Sequence, residues 1–175
     1  MIVTIIDTTP DAHLLHATYA GIDDALVLIN PKSEELDKVL RERPEPLMGL
    51  GHGCSSGLFG CDCDIIIGER NLDLLKDRDL ICIWCNADGF LKRHPELTGF
   101  ASSMFISNES ELYYCGFSNY TNEDIFSEVC LFSERVNKLI QDDEPLKDWP
   151  SLLRSQADMS KDYVAYNYNG LYYQP

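Results

Sequence analysis

No apolar run in this chain approaches the ~20 residues needed to span a bilayer. Basic residues are scarce: 14 Lys and Arg face 29 Asp and Glu, for a formal net charge of −15. Such a field repels nucleic-acid phosphates and anionic lipid, so neither nucleic acid nor a membrane surface is expected as a partner. It attracts a basic peptide or a cation. The N-terminal Met1-Ile2-Val3-Thr4-Ile5-Ile6-Asp7 has no basic n-region, and Asp7 and Asp11 fall where a secretory leader stays apolar. A cytoplasmic location is therefore expected. No phosphate-cradling G-x-x-x-x-G-K and no G-x-S-x-G nucleophile elbow occurs, and there is no internal repeat or low-complexity linker. The seven cysteines are an odd number, and without a secretory leader they do not read as a disulfide framework. Most are expected to be small buried hydrophobes.

What is present fits one globular domain over residues 1–175, long enough for a sizeable core. Ile2–Ile6, Ala25–Ile29, Leu47–Leu50 and Leu80–Trp84 are short, apolar and rich in β-branched residues, and read as buried strands. Between them lie helical signals. Thr8-Thr9-Pro10-Asp11 opens a helix over Ala12–Ala20, and Ser33 caps a second one with Leu36, Val39 and Leu40 on its apolar face. Five glycines between Gly49 and Gly60 mark a loop, followed by the apolar Asp64–Gly68 and a helical turn over Asn71–Lys76. Thr121-Asn122-Glu123-Asp124 caps the clearest helix, whose Ile125, Val129, Phe132, Val136, Leu139 and Ile140 share one face. Trp149–Arg154 suggests a short helix. The Tyr-rich 163–175 tail, with Asn169-Gly170, predicts a hairpin. Strands alternating with helices predict an α/β fold with a mostly parallel central sheet flanked by helices.

Two of these strands end in a reactive residue. Leu47–Leu50 runs into Gly51-His52-Gly53, and Leu80–Trp84 runs into Cys85-Asn86. If the strands are parallel neighbours, His52 and Cys85 emerge at one carboxyl edge, where open α/β sheets place their chemistry. A thiol beside an imidazole can act as a nucleophile, and an imidazolium would lower its pKa. Gly51 and Gly53 would admit a close substrate backbone and offer amide donors. Cys82, one strand period before Cys85, is expected in the core. Asp62, Asp64 and Asp88 lie near the proposed site in sequence and are candidates for binding a cationic substrate. His52, Cys54, Cys61 and Cys63 also form an H-x-C…C-x-C set that could hold zinc, in spacing unlike the common zinc motifs. That arrangement would consume His52 and so competes with catalysis.

The pairing of His52-Gly53 after one apolar strand with Cys85 at the end of another resembles the caspase-like cysteine peptidases, the group of caspases, gingipains, legumains, clostripain and separase. The resemblance covers about Ile2 to Gly89. Cys85 follows His52 by 33 positions, against about 50 in caspases. The caspase pentapeptide around the nucleophile is absent. Ile83 and Trp84 stand where some bacterial relatives carry an acidic residue. The resemblance implies a three-layer sandwich and a thiol protease acting on a peptide or protein substrate, with no cofactor and no catalytic metal. Cys85 would be the nucleophile, His52 the proton donor to the leaving amine, and the Gly53 and Cys85 amides the donors of the oxyanion site. The alternatives are a non-catalytic binding or regulatory module of the same fold, and the zinc-stabilised module.

Overall fold

The structure is a computed structural model that describes residues 4–8, 13–60 and 62–175. Ile2 and Val3 of the first expected strand, the expected helix start over residues 9–11, and Cys61 lie outside the described residues. The first strand, β1 (Thr4–Asp7), is followed by a 3-10 turn over His13–Thr18 where an α-helix was expected. Next come β2 (Leu26–Ile29), α1 (Ser33–Glu42) and β3 (Leu47–Leu50). Lys32, not Ser33, occupies the N-cap position of α1.

The glycine-rich stretch expected to be a loop is a small antiparallel sheet. Its strands are β4 (Gly53–Cys54), β5 (Gly57–Phe59) and β6 (Ile65–Gly68). The chain continues through α2 (Leu72–Leu75), β7 (Asp79–Ile83), α3 (Ala87–Arg93) and β8 (Thr98–Ala101). Four helices follow: α4 (Glu109–Tyr114), α5 (Asn122–Gln141), α6 (Trp149–Gln156) and α7 (Asp162–Asn169). The last strand is β9 (Tyr172–Gln174).

The main sheet has six strands in the order β2-β1-β3-β7-β8-β9, all parallel except β9, which runs antiparallel to β8. Alternation along each strand divides the core in two, because successive side chains leave a strand on opposite faces. Ile5, Met48, Leu50, Ile81, Ile83 and Phe100 pack against α5, α6 and α7. Ile6, Leu47, Leu80, Cys82 and Ala101 pack on the other face against α1, α3 and the small sheet. The result is a three-layer α/β sandwich, and Cys82 is in the core as expected. The strand over Leu26–Ile29 is less buried than its composition suggests. It forms one edge of the sheet and leaves Val27 and Ile29 exposed.

Helix α5 follows its sequence closely. Thr121 and Asp124 exchange hydrogen bonds of 2.9 and 3.2 Å in a capping box, and the six apolar residues of the expected face are all buried. The same helix buries a charged group. Glu128 accepts from Arg135 Nη1 and from the Tyr168 hydroxyl, both at 2.8 Å, and Arg135 also meets that hydroxyl. Burial and the Glu128 carboxylate hold the Tyr168 phenol well above its ordinary value.

The Tyr-rich tail is not a hairpin. Residues 162–169 form α7, and Gly170 caps it in the right-handed helical region. Tyr163, Val164, Asn167 and Tyr168 fall at helical spacing and are buried. That burial overrides the turn propensity of Asn169-Gly170. From α7 the Asn167 side chain clamps an irregular segment after β8. It accepts from the Ile106 N–H at 2.8 Å and donates to the Ile106 carbonyl at 3.0 Å. These bonds hold Ile106, and with it the chain between Phe105 and Ser107.

Candidate active site

Strands β3 and β7 are parallel neighbours, with Leu50 paired to Ile83. The Gly51 N–H extends the ladder by donating to the Ile83 carbonyl at 3.1 Å. The pairing offset is the same 33 positions that separate His52 from Cys85, so the two residues leave adjacent strands at matching positions. Both line one pocket at the carboxyl edge of the sheet. His52 is exposed and Cys85 is half-buried.

The local chain makes this presentation possible. Gly51 has φ +145°, a region that L side chains rarely adopt. On the other strand Asn86 has φ +62°, a left-handed residue that turns the chain from Cys85 straight into α3. Ser102 braces this turn. Its hydroxyl donates to the Trp84 carbonyl at 2.9 Å, and its own carbonyl accepts from the Asp88 N–H at 3.0 Å.

Gly53 behaves differently from expectation. A Cβ there would lie 2.3 Å from Trp84 Cδ1 and 2.6 Å from the Gly57 carbonyl oxygen, so the space beside it is filled by the protein's own indole. Its amide is better placed. The Phe59 N–H donates to the His52 carbonyl at 2.9 Å, making His52–Phe59 a hydrogen-bonded pair. Gly53–Leu58 is then the alternating non-bonded pair, and the Gly53 N–H points away from β5, to the open side of β4.

The pocket holds about 60 Å³, room for about two waters at the ~30 Å³ each takes in the liquid. Its walls are mostly apolar: Leu15 from the 3-10 turn, Ile83, Trp84, Phe105 and Val129, with Ser102, Ser107 and Glu111 as polar members beside the His–Cys pair. The thiol of Cys85 donates a long 4.0 Å bond to the Phe105 carbonyl. Burial pushes this thiol up; Glu111 and Cys115 add to the effect, and a bond with the Phe105 backbone opposes it. The expectation of a lowered pKa is therefore reversed. Desolvation disfavours the thiolate more than its surroundings favour it.

The three aspartates expected to bind substrate are not in the pocket lining. Asp88 pairs with Lys92 at 2.7 Å, one helical turn on. Asp64 accepts from Ser33 at 3.3 Å, and Asp62 is exposed on the turn between β5 and β6. The carboxylate the structure brings to the pocket is Glu111, which no local signal tied to His52 or Cys85. For the zinc alternative, no three His, Cys, Asp or Glu side chains among the described residues stand close enough to hold a metal. His52, Cys54 and Cys63 are thus not gathered as a ligand set. No helix among the described residues is long and apolar enough to cross a membrane. In comparisons with known proteins, the chain matches no protein-family model and no curated protein.

Proposed function

We propose that this chain is a caspase-like cysteine hydrolase that cleaves peptide bonds, with Cys85 as nucleophile and His52 as general acid and base. The observation that carries this reading is the shared pocket of His52 and Cys85 at the carboxyl edge of adjacent parallel strands. The thiol gives its proton to His52 as the sulfur attacks the substrate carbonyl carbon. The carbonyl oxygen becomes an oxyanion, with the Gly53 N–H as its donor in this reading. His52 then protonates the leaving amine as the C–N bond breaks. Water, deprotonated by His52, attacks the thioester and releases the acid and the free thiol.

Burial raises the Cys85 pKa, so in this reading the thiol gives up its proton to His52 as it attacks the substrate. The test is cleavage of a peptide panel by wild type and Cys85→Ala. Turnover should fall by ~10³-fold or more, with the melting temperature within a few degrees of wild type. Equal cleavage by both proteins refutes the reading.

The same raised pKa favours a second reading, a binding module of this fold without turnover. That module takes up a peptide in the same pocket, cleaves none of the panel, and leaves Cys85 unlabelled by acyloxymethyl ketone probes.

A further inference from the structure

Glu111 stands out among the carboxylates of this chain. It sits in the first turn of α4 and lines the pocket that holds Cys85. Its Oε2 accepts from both the N–H and the hydroxyl of Ser107, at 2.7 and 2.9 Å, which fixes the side chain. Among the described residues no donor is bonded to Oε1, and no cation pairs with Glu111. Several other half-buried or buried carboxylates have cationic partners, Asp88 with Lys92, Asp37 with Arg70 and Glu128 with Arg135, whereas the half-buried Asp124 is held, like Glu111, by hydrogen bonds from a neutral residue, Thr121. Glu111 lines the pocket together with the apolar Leu15, Phe105 and Val129, and a ligand cation entering there would meet its carboxylate.

The size of the pocket narrows the ligand. At about 60 Å³ it admits the slender end of a side chain rather than a bulky group. Apolar walls accept methylenes while the carboxylate meets the head group. The net charge of −15 steers such ligands inward.

We propose that Glu111 is the specificity-determining residue of this site: its carboxylate takes the ammonium of a lysine side chain on the substrate residue whose carbonyl meets Cys85. This rests on the hydrolase reading above. The clamp from Ser107 makes Glu111 a preset anchor, so a neutral side chain of similar length fills the same walls and leaves the carboxylate unpaired.

Two acyloxymethyl ketone probes that differ only at the residue bearing the warhead, lysine or norleucine, test this on the whole protein. In each, the Cys85 sulfur bonds to the methylene carbon, the carboxylate leaves, and the thiol proton passes to solvent. Labelling of Cys85 is followed by mass spectrometry. Wild type should react with the lysine probe ~10- to 100-fold faster than with the norleucine probe, the range of one charge-assisted hydrogen bond. In Glu111→Gln that ratio should fall to within about threefold, as a neutral acceptor replaces the charge. Labelling of wild-type Cys85 by both probes at similar rates overturns the role of Glu111 and leaves the nucleophile standing. A ratio that survives in Glu111→Gln does the same. No labelling by either probe overturns the hydrolase reading, and this specificity falls with it. The wild-type comparison decides the matter even if the variant does not fold.

Discussion

Gly53→Ala is the sharpest perturbation of the site that leaves its reactive groups in place. The new methyl would sit 2.3 Å from Trp84 Cδ1 and 2.6 Å from the Gly57 carbonyl oxygen, where carbon contacts settle at ~3.5 Å or more. One neighbour must therefore retreat by about 1 Å. Neither moves freely. Trp84 is buried, and its indole N–H donates to the Cys54 carbonyl at 3.2 Å, while Gly57 is backbone paired into the small sheet. Overpacking of this kind costs about 2–3 kcal/mol, at the upper part of its usual range. For a chain of this length that lowers the melting temperature by roughly 4–12 °C. The assay is a thermal melt followed by circular dichroism. In a Trp84→Ala background the indole clash is gone, and the same glycine substitution should cost clearly less, leaving the Gly57 contact. A Gly53→Ala melt within about 1 °C of wild type, or an equal cost in both backgrounds, refutes the claim that the indole fills this space.

Glu128→Ala should destabilise the protein by about 3 kcal/mol in urea titration, the low end for a buried pair, because it leaves the half-buried Arg135 guanidinium and the buried Tyr168 hydroxyl without their acceptor. A loss under about 1 kcal/mol would show the pair to be water-compensated. Stability should also decline on the alkaline side. Burial raises the thiols of Cys82 and Cys85 above the ordinary 9.0, and it raises Tyr168, and Tyr163 to about 12, above the ordinary phenol value of 10.0. The unfolded chain ionises these groups first, so the stabilisation is complete below pH 9 and is lost as pH rises through the folded values. Melting temperatures flat from pH 8 to 11 would contradict this sign.

Much of the frame could be read from composition along the chain. Leu47–Leu50 and Leu80–Ile83 are short, uniformly apolar runs, and only a sheet covered on both faces buries such runs completely. Their reactive ends then follow from geometry. The small sheet was harder to see, because β4 is two residues long and its glycines look like a loop. At the C-terminus the helical spacing of Tyr163, Val164, Asn167 and Tyr168 was available, and Asn169-Gly170 obscured it. The carboxylate that lines the pocket is illegible in the sequence for a different reason. Asp62, Asp64 and Asp88 are near His52 and Cys85 in sequence, whereas Glu111 reaches the pocket from a helix beyond β8. No periodicity links a six-residue helix to a strand end that lies before it.

The ladder between β3 and β7 has a consequence for how this chain can change length. His52 and Cys85 are set opposite each other by strand pairing, and the 33 positions between them are only the length of the excursion that leaves and rejoins the sheet. The turn between β5 and β6, where Gly60 meets Asp64, is the outer tip of that excursion. Residues inserted there would lengthen a hairpin end and leave both strand ends where they are. A fixed count between the two is thus no signature of the site; insertions at that tip would change the small sheet and leave the two strand ends in register.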